Sequence, residues 1–246
     1  MGGSQRACSQ PNLTASWVQQ RATDGWRFVP IYVGTQASGI TSPATQGAAA
    51  ADDAVDDATA LGFGPGATLY YDMEAYSSAY SAKVLAFEEA WTERIRARGF
   101  HSGWYSSSDS GIQDLVGNVT GHTMPDVIFD ALWNGSANTA DPGVPGNLWS
   151  DHQRVHQYSG GHGESWGGTT IDIDQDYLDV QMATDTSPVA HGRVWDRARP
   201  DGGPWDTNAT LIDTNDAITA VAAAGLPDGT VHVQALVNGE IWDRTR

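Results

Sequence analysis

Cysteine is almost missing from this chain: Cys8 is the only one in 246 residues. That excludes an intrachain disulfide and any zinc or iron–sulfur site built on several thiolates. Basic residues are scarce as well, 13 Lys and Arg against 30 Asp and Glu, for a formal net charge of -17. Phosphate backbones need a basic face, so nucleic acid is not expected as a partner. Anionic membrane surfaces are disfavoured for the same reason. No apolar run approaches the ~20 residues of a membrane helix, so membrane insertion is not expected either. The opening MGGSQRACSQ has no basic start followed by an apolar stretch, and no lipidation motif. What is abundant is a 40% hydrophobic content, enough for a core, and ten Trp and eight Tyr beside 28 Gly. An acidic, Trp- and Gly-rich chain leans towards neutral polar ligands such as sugars. A Trp-rich core is the other reading of the same composition.

Punctuation and periodicity divide the chain. Helices are expected over 13–25, 45–63, 81–99 and 110–118. In 81–99, Val84, Phe87, Trp91 and Ile95 recur at helical spacing and Gly99 stands at the end. Strands are expected over 28–34, 67–74, 101–107, 126–133, 154–160 and 169–180. Such alternation predicts parallel strands with crossover helices, either an open doubly wound sheet or a closed eight-stranded barrel. No G-x-G-x-x-G follows a strand, so the dinucleotide-binding version loses its main support. Residues 187–246 differ. Gly192, Trp195, Asp196, Arg197 and Arg199 recur as Gly239, Trp242, Asp243, Arg244 and Arg246. Between them, 221–237 reads as a strand pair around Pro227-Asp228-Gly229. Short strands repeating at ~40–50 residues are a propeller signature, with an ordinary hairpin as the alternative.

The strand TLYYDME carries Asp72 and Glu74. Residues two apart on a strand share a face, with Cα atoms roughly 6.5–7 Å apart. Two carboxylates so close resist joint ionisation, so one should hold its proton near neutral pH. One acid beside one anion is what glycosidic cleavage asks for; in the substrate-assisted variant the sugar's acetamido oxygen attacks while a carboxylate orients it. A solvated surface pair is the competing reading. Asp172 and Asp174 share a strand face in TIDIDQDYLD and can add charge to the same site. An EF-hand starting at Asp172 is excluded, because Tyr177 stands where Gly is required and Ala183 where Glu is. Aromatics and amides fall near other strand ends: Tyr32, Trp104, Tyr105, Trp133 and Tyr158, with Gln36 and Gln157. Rings of this kind stack on sugars and amides bond hydroxyls; core packing is the alternative for each. The histidines lack H-E-x-x-H spacing and Ser106, Ser107 and Ser108 lack a G-x-S-x-G context, so neither a zinc site nor a serine hydrolase is expected.

The strings WRFVPIYVGTQ, QGAAAADDAVDDATALGFGPGATLYYDMEAY, FHSGWYSSSDSGIQDL, RVHQYSGG and TTIDIDQDYLDV follow one another in order. Over roughly residues 2–180 they resemble the glycoside-hydrolase-like domain of unknown function common in actinobacteria. That group is similar to the family 25 glycoside hydrolases, lysozyme-type muramidases with a β/α barrel. The resemblance implies secretion and a peptidoglycan or related polysaccharide target. It matches Asp72 and Glu74 to the family's Asp-x-Glu at the end of the fourth strand, and Asp172 to the acid of its last strand. Phe129, Ala131 and Trp133 match alternating positions of its sixth strand. Gly2-Gly3 matches the end of the second strand, so the first strand and its Asp are absent. The tail resembles a tectonin-like, sugar-binding propeller repeat.

The expectation is therefore an α/β fold: over 1–183 a (β/α)8-type TIM barrel lacking its first two strands, and over 187–246 a short all-β propeller-like fragment. Glu74 is expected as general acid, Asp72 as the group that orients substrate or stabilises the developing cation, and Asp172 as supporting charge. Tyr32, Gln36, Tyr105, Trp133, Gln157, Tyr158 and Asp174 are expected to bind the saccharide. No metal or cofactor is expected, and the location is extracellular or wall-associated. The alternative is a non-catalytic glycan-binding module.

Overall fold

A computed structural model describes residues 1–180 continuously and, beyond them, strand segments between 194 and 245. The chain falls into two compact units, Met1–Thr186 and Ser187–Arg246.

The first unit carries strands β1 (Ile31–Tyr32), β2 (Thr68–Asp72), β3 (His101–Ser107), β4 (Val127–Ala131), β5 (Gln153–Trp166) and β6 (Thr169–Val180). Its helices are α1 (Ala15–Thr23), α2 (Pro43–Ala60), α3 (Ser81–Ala97) and α4 (Gln113–Gly117). In α2 an Ala-rich run begins with Pro43, whose missing N–H costs nothing in the first turn. The Gln46 side chain accepts from the Thr41 and Ser42 amides at 2.7 and 2.8 Å and closes that end. In α3 the residues Val84, Phe87, Trp91 and Ile95 are buried along one stripe.

Six strands form one sheet in the order β1-β2-β3-β4-β5-β6. Neighbours from β1 to β5 run parallel and β6 is antiparallel to β5. Strand alternation gives the sheet two unlike faces. Leu69, Tyr71, Met73 and Trp104 enter the main core with α2 and α3. There the Tyr71 and Trp104 rings stack at 5.2 Å, while Phe87 and Trp91 meet Tyr71 edge-on. Core packing thus accounts for Trp91 and Trp104. The opposite, concave face carries a smaller cluster of Tyr70, Val127, Phe129 and Val155.

This sheet overturns the barrel expectation. From 132 to 152 the chain is irregular where a crossover helix would stand. After β5 it reverses at once: Gly167 (φ 56°) and Gly168 (φ 84°) make a two-residue left-handed turn, which only glycine adopts without strain. The stretches 154–160 and 169–180 are thus the two arms of an antiparallel hairpin, not successive parallel barrel strands. The result is an open, curled half-barrel of six mixed strands rather than a (β/α)8 barrel lacking two strands. Gly2 lies in a parallel bridge to Tyr32, alongside β1.

In the second unit β7 (Val194–Asp196) and β8 (Thr210–Asp213) form an antiparallel pair. Separately, β9 (Ile218–Gly225), β10 (Val231–Val237) and β11 (Glu240–Thr245) form an antiparallel sheet in the order β11-β10-β9. Among the described residues these strands make a pair and a three-stranded sheet, not the four-stranded sheet of a propeller blade, so the expected propeller-like fragment is not shown. Gly192, Arg197, Arg199, Gly239 and Arg246 of the recurring pattern, and Pro227-Asp228-Gly229, lie outside the described residues.

Candidate active site

Residues in register on neighbouring strands point the same way. Asp72, Tyr105, Phe129, Val155 and Leu178 are paired in sequence across β2 to β6 and form one row on the concave face. One residue pair further along, Gln157 lies opposite Asp176. Met73 is fully buried on the helix side, between Asp72 and Glu74 in the chain. These rows enclose a cavity of about 370 Å³. Its apolar floor includes Ile31, Phe129 and Val155; its polar wall is Asp72, Glu74, Tyr105, Gln157, Asp174 and Asp176.

Asp72 ends β2 and Glu74 follows two residues later, and the two acids differ in environment. Asp72 is half-buried, and its Oδ1 is shut from solvent with no hydrogen-bond partner. Burial, and then the charge of Glu74, push its carboxyl up to about 6. Glu74 is exposed. Gln36 locks the backbone that carries both: its Nε2 donates to the Asp72 carbonyl at 2.9 Å and its Oε1 accepts from the Glu74 amide at 2.9 Å. Gln36 therefore sits behind the acid pair rather than on the cavity wall.

Gln157 is the hub of the opposite wall and is itself buried. Its Oε1 accepts from the Tyr105 hydroxyl at 3.2 Å and from Trp133 Nε1 at 2.9 Å; its Nε2 donates to Asp174 at 3.1 Å. Trp133 is 67% exposed, yet its ring is fixed at both ends. A Cβ on Gly160 would come within 2.2 Å of its Cζ2, so glycine there makes room for the indole. Burial and the neighbouring carboxylates, Glu74 and Asp72 foremost, hold the Tyr105 phenol proton firmly.

Of the residues expected from sequence, Asp72, Glu74, Tyr105, Gln157 and Asp174 meet at this cavity, with Trp133 hydrogen-bonded to its Gln157 and Gln36 behind the acid pair. Three lie elsewhere. Tyr32 is in the helix-side core and donates to Asp53 at 2.5 Å. Tyr158 lies on the far face of β5 against His156. Asp172 is exposed in the hairpin, paired with Gly163. The reversal of β6 explains that last position: in an antiparallel strand the early residues overshoot the cavity, and Asp174 and Asp176 come level with Glu74. Asp176 was not singled out from sequence, although its spacing from Asp174 places both on one face. Partial burial of its carboxyl, and then Asp174, raise it to about 6, although the residue as a whole remains exposed at the cavity mouth.

A second polar row, Ser106, Asp130 and His156, runs across β3, β4 and β5 on the helix side. Burial, and then Asp141, push the Asp130 carboxyl up to about 8. Burial acts upward on Asp141 too, but the Ser108 hydroxyl at 2.5 Å and the Gly143 amide at 2.6 Å outweigh it and hold that carboxyl low. His156 contacts the carbonyls of Asn138 and Leu132, and Arg154 donates to those of Leu148, Pro145 and Thr139. This row fastens the 132–152 segment to the back of the sheet. Among the described residues no group of three or more His, Cys, Asp or Glu is arranged to hold a metal ion.

A family model described as "Rv2525c-like, glycoside hydrolase-like domain" matches residues 1–178. Among solved structures, the chain is similar to the Mycobacterium tuberculosis Tat-secreted protein Rv2525c in complex with L-tartrate. That match has 16% identity over 68% of this chain and 74% of that one, with a TM-score of 0.49. It is also similar to an uncharacterized B. stearothermophilus protein, at 21% identity over 69% of this chain and 80% of that one, with a TM-score of 0.48. No curated protein matches the sequence.

Proposed function

The chain belongs to the Rv2525c-like, glycoside hydrolase-like domain family, and from that premise we propose that its concave cavity hydrolyses glycosidic bonds in a cell-wall polysaccharide, peptidoglycan or a relative of it. The observation that carries this reading is the Asp72–Glu74 pair, one carboxyl shielded and proton-holding, the other open to water, in a cavity with an aromatic wall. Asp72 gives its proton to the glycosidic oxygen. The C1–O bond breaks with its electron pair going to that oxygen, and Glu74 faces the positive charge developing at C1. Water adds to C1 and releases a proton, which restores Asp72. Burial thus hands the acid role to Asp72, exchanging the roles expected from sequence. Gln36 holds the pair in register, and Gln157, Tyr105 and Trp133 engage the sugar. The substrate sets the location as extracellular or wall-associated.

Release of dye from labelled cell walls tests the reading. Asp72→Asn and Glu74→Gln should each lower turnover by about 10²–10⁴-fold, the usual range for a lost acid or base. Undiminished turnover in Asp72→Asn removes that residue from the role. The exposed, immobilised Trp133 favours one second reading, a glycan-binding module without turnover. In that case walls bind and nothing is released by the unmutated protein.

A further inference from the structure

The β5–β6 hairpin outgrows the sheet. Strand β4 stops pairing with β5 at Ala131 and Gln157, and beyond that point β5 pairs only with β6 among the described residues. The arm so formed runs out to the turn at Gly167 and Gly168, and its two faces differ. Residues directly opposite in an antiparallel pair share a face, as do alternate residues of one strand. One face therefore carries His162, Glu164 and Trp166 of β5 with Ile173, Ile171 and Thr169 of β6. The other is polar, with Asp172 opposite Gly163, and the Ser165 and Thr170 hydroxyls 2.7 Å apart.

The apolar face starts at the cavity, because Ile173 lines it. It continues through Ile171, 48% exposed, to Trp166, 71% exposed. From Ile173 to Thr169, the partner of Trp166, the strand covers about 13 Å, room for more than one sugar ring. The indole is tethered: its Nε1 donates to Glu164 Oε2 at 2.9 Å, and Glu164 Oε1 lies 3.4 Å from His162 Nε2. A ring fixed before contact loses little freedom on binding. Exposed apolar surface continuous with a cavity marks where a ligand extends beyond it. Between Tyr158 and Gln175 the arm has three acids, Glu164, Asp172 and Asp174, and no Lys or Arg. That charge disfavours an anionic lipid surface. A pyranose suits the face, its C–H side lying on the indole and its hydroxyls donating to Glu164.

We propose that this face of the arm is a saccharide track leading out of the cavity, with Trp166 as its outer stacking platform. The substrate is then a long glycan chain laid along the hairpin, not a short unit seated in the cavity alone. This inference rests on the reading of the cavity as a saccharide site.

Titration calorimetry on the full chain tests it with the dimer and the hexamer of N-acetylglucosamine. The hexamer should bind at least about tenfold more tightly than the dimer. Trp166→Ala, at an exposed position, should keep the fold. It should weaken the hexamer at least about fivefold and leave the dimer within about twofold, while Trp166→Phe, which keeps a ring, should recover most of the loss. An unchanged hexamer affinity in Trp166→Ala overturns the track and leaves the cavity reading standing, as does equal weakening of both oligomers. Binding of the protein to phosphatidylcholine vesicles that disappears with Trp166→Ala, while the hexamer is unaffected, assigns the face to lipid and overturns the track as well. If neither oligomer binds, the track and the saccharide reading of the cavity both fall.

Discussion

At the scale of single residues, the account turns on the different surroundings of two carboxyls that the chain places two positions apart. Asp72 holds its proton up to about pH 6 mainly because it is buried. Its folded value lies above the unfolded one near 3.9, so the stability tied to its protonated form is complete below about pH 4 and is lost as pH rises through about 6. Asp72→Asn should therefore raise the melting temperature more at pH 7 than at pH 4, by the equivalent of about 1–2 kcal/mol after allowing for partial solvent contact. Thermal unfolding at the two pH values checks this, and an equal shift at both contradicts it. Gln36 acts on the same pair from behind, through two backbone hydrogen bonds. Gln36→Leu leaves a donor and an acceptor unpaired, at about 1–3 kcal/mol. Turnover should fall about tenfold or more, since small displacements of catalytic groups are expensive. Turnover rates measured beside a melting curve separate loss of alignment from loss of fold.

At the scale of elements, the β5–β6 hairpin decides what the site contains. It closes one wall of the cavity and supplies Asp174 and Asp176. Its reversal depends on Gly167 and Gly168, both left-handed. Replacing both with Ala should cost about 1–3 kcal/mol per residue. Amide hydrogen exchange should then speed up along β6 ahead of β2 and β3; uniform acceleration would mean that the turn is not local to the hairpin. The 132–152 segment depends instead on the polar row behind the sheet. Asp130 titrates at about 8 when folded. Stability from its protonated form is complete below about pH 4 and is lost as pH rises towards 8, on the order of a few kcal/mol. Asp130→Asn cannot ionise, so its melting temperature should exceed that of the unmutated protein at pH 8.5 and converge with it near pH 4. A constant difference would show that Asp130 is not the group that titrates. These elements also mark what sequence could reveal. The expected strand 101–107 coincides with β3, and the expected helix 81–99 overlaps α3 (Ser81–Ala97), because long amphipathic or apolar periods speak for themselves. Strand direction does not: nothing within 169–180 states whether it runs with its neighbour or against it. The one local sign was Gly167-Gly168 between two alternating runs, a hairpin signal. Without it Asp172 stands at the site and Asp176 does not. Tyr32 was misplaced because β1 is only two residues long, too short for alternation to set a face.

At the scale of the molecule, an open half-barrel brings acids from β2 and β6, the elements at opposite ends of the intervening row, to one hollow. Sequence alone links Asp72 to Glu74 by spacing; only the curl of the sheet links them to Asp174 and Asp176. The family relation and this convergence support the same chemistry from separate directions. The central claim is that the cavity cuts glycosidic bonds with Asp72 and Glu74. The most direct measurement is mass spectrometry of soluble saccharides after incubating the protein with purified cell walls in water enriched in oxygen-18. The account predicts fragments carrying one heavy oxygen at each new reducing end, and their loss with Asp72→Asn or Glu74→Gln. Walls left intact by the unmutated protein, or labelled fragments released equally by both variants, would contradict it.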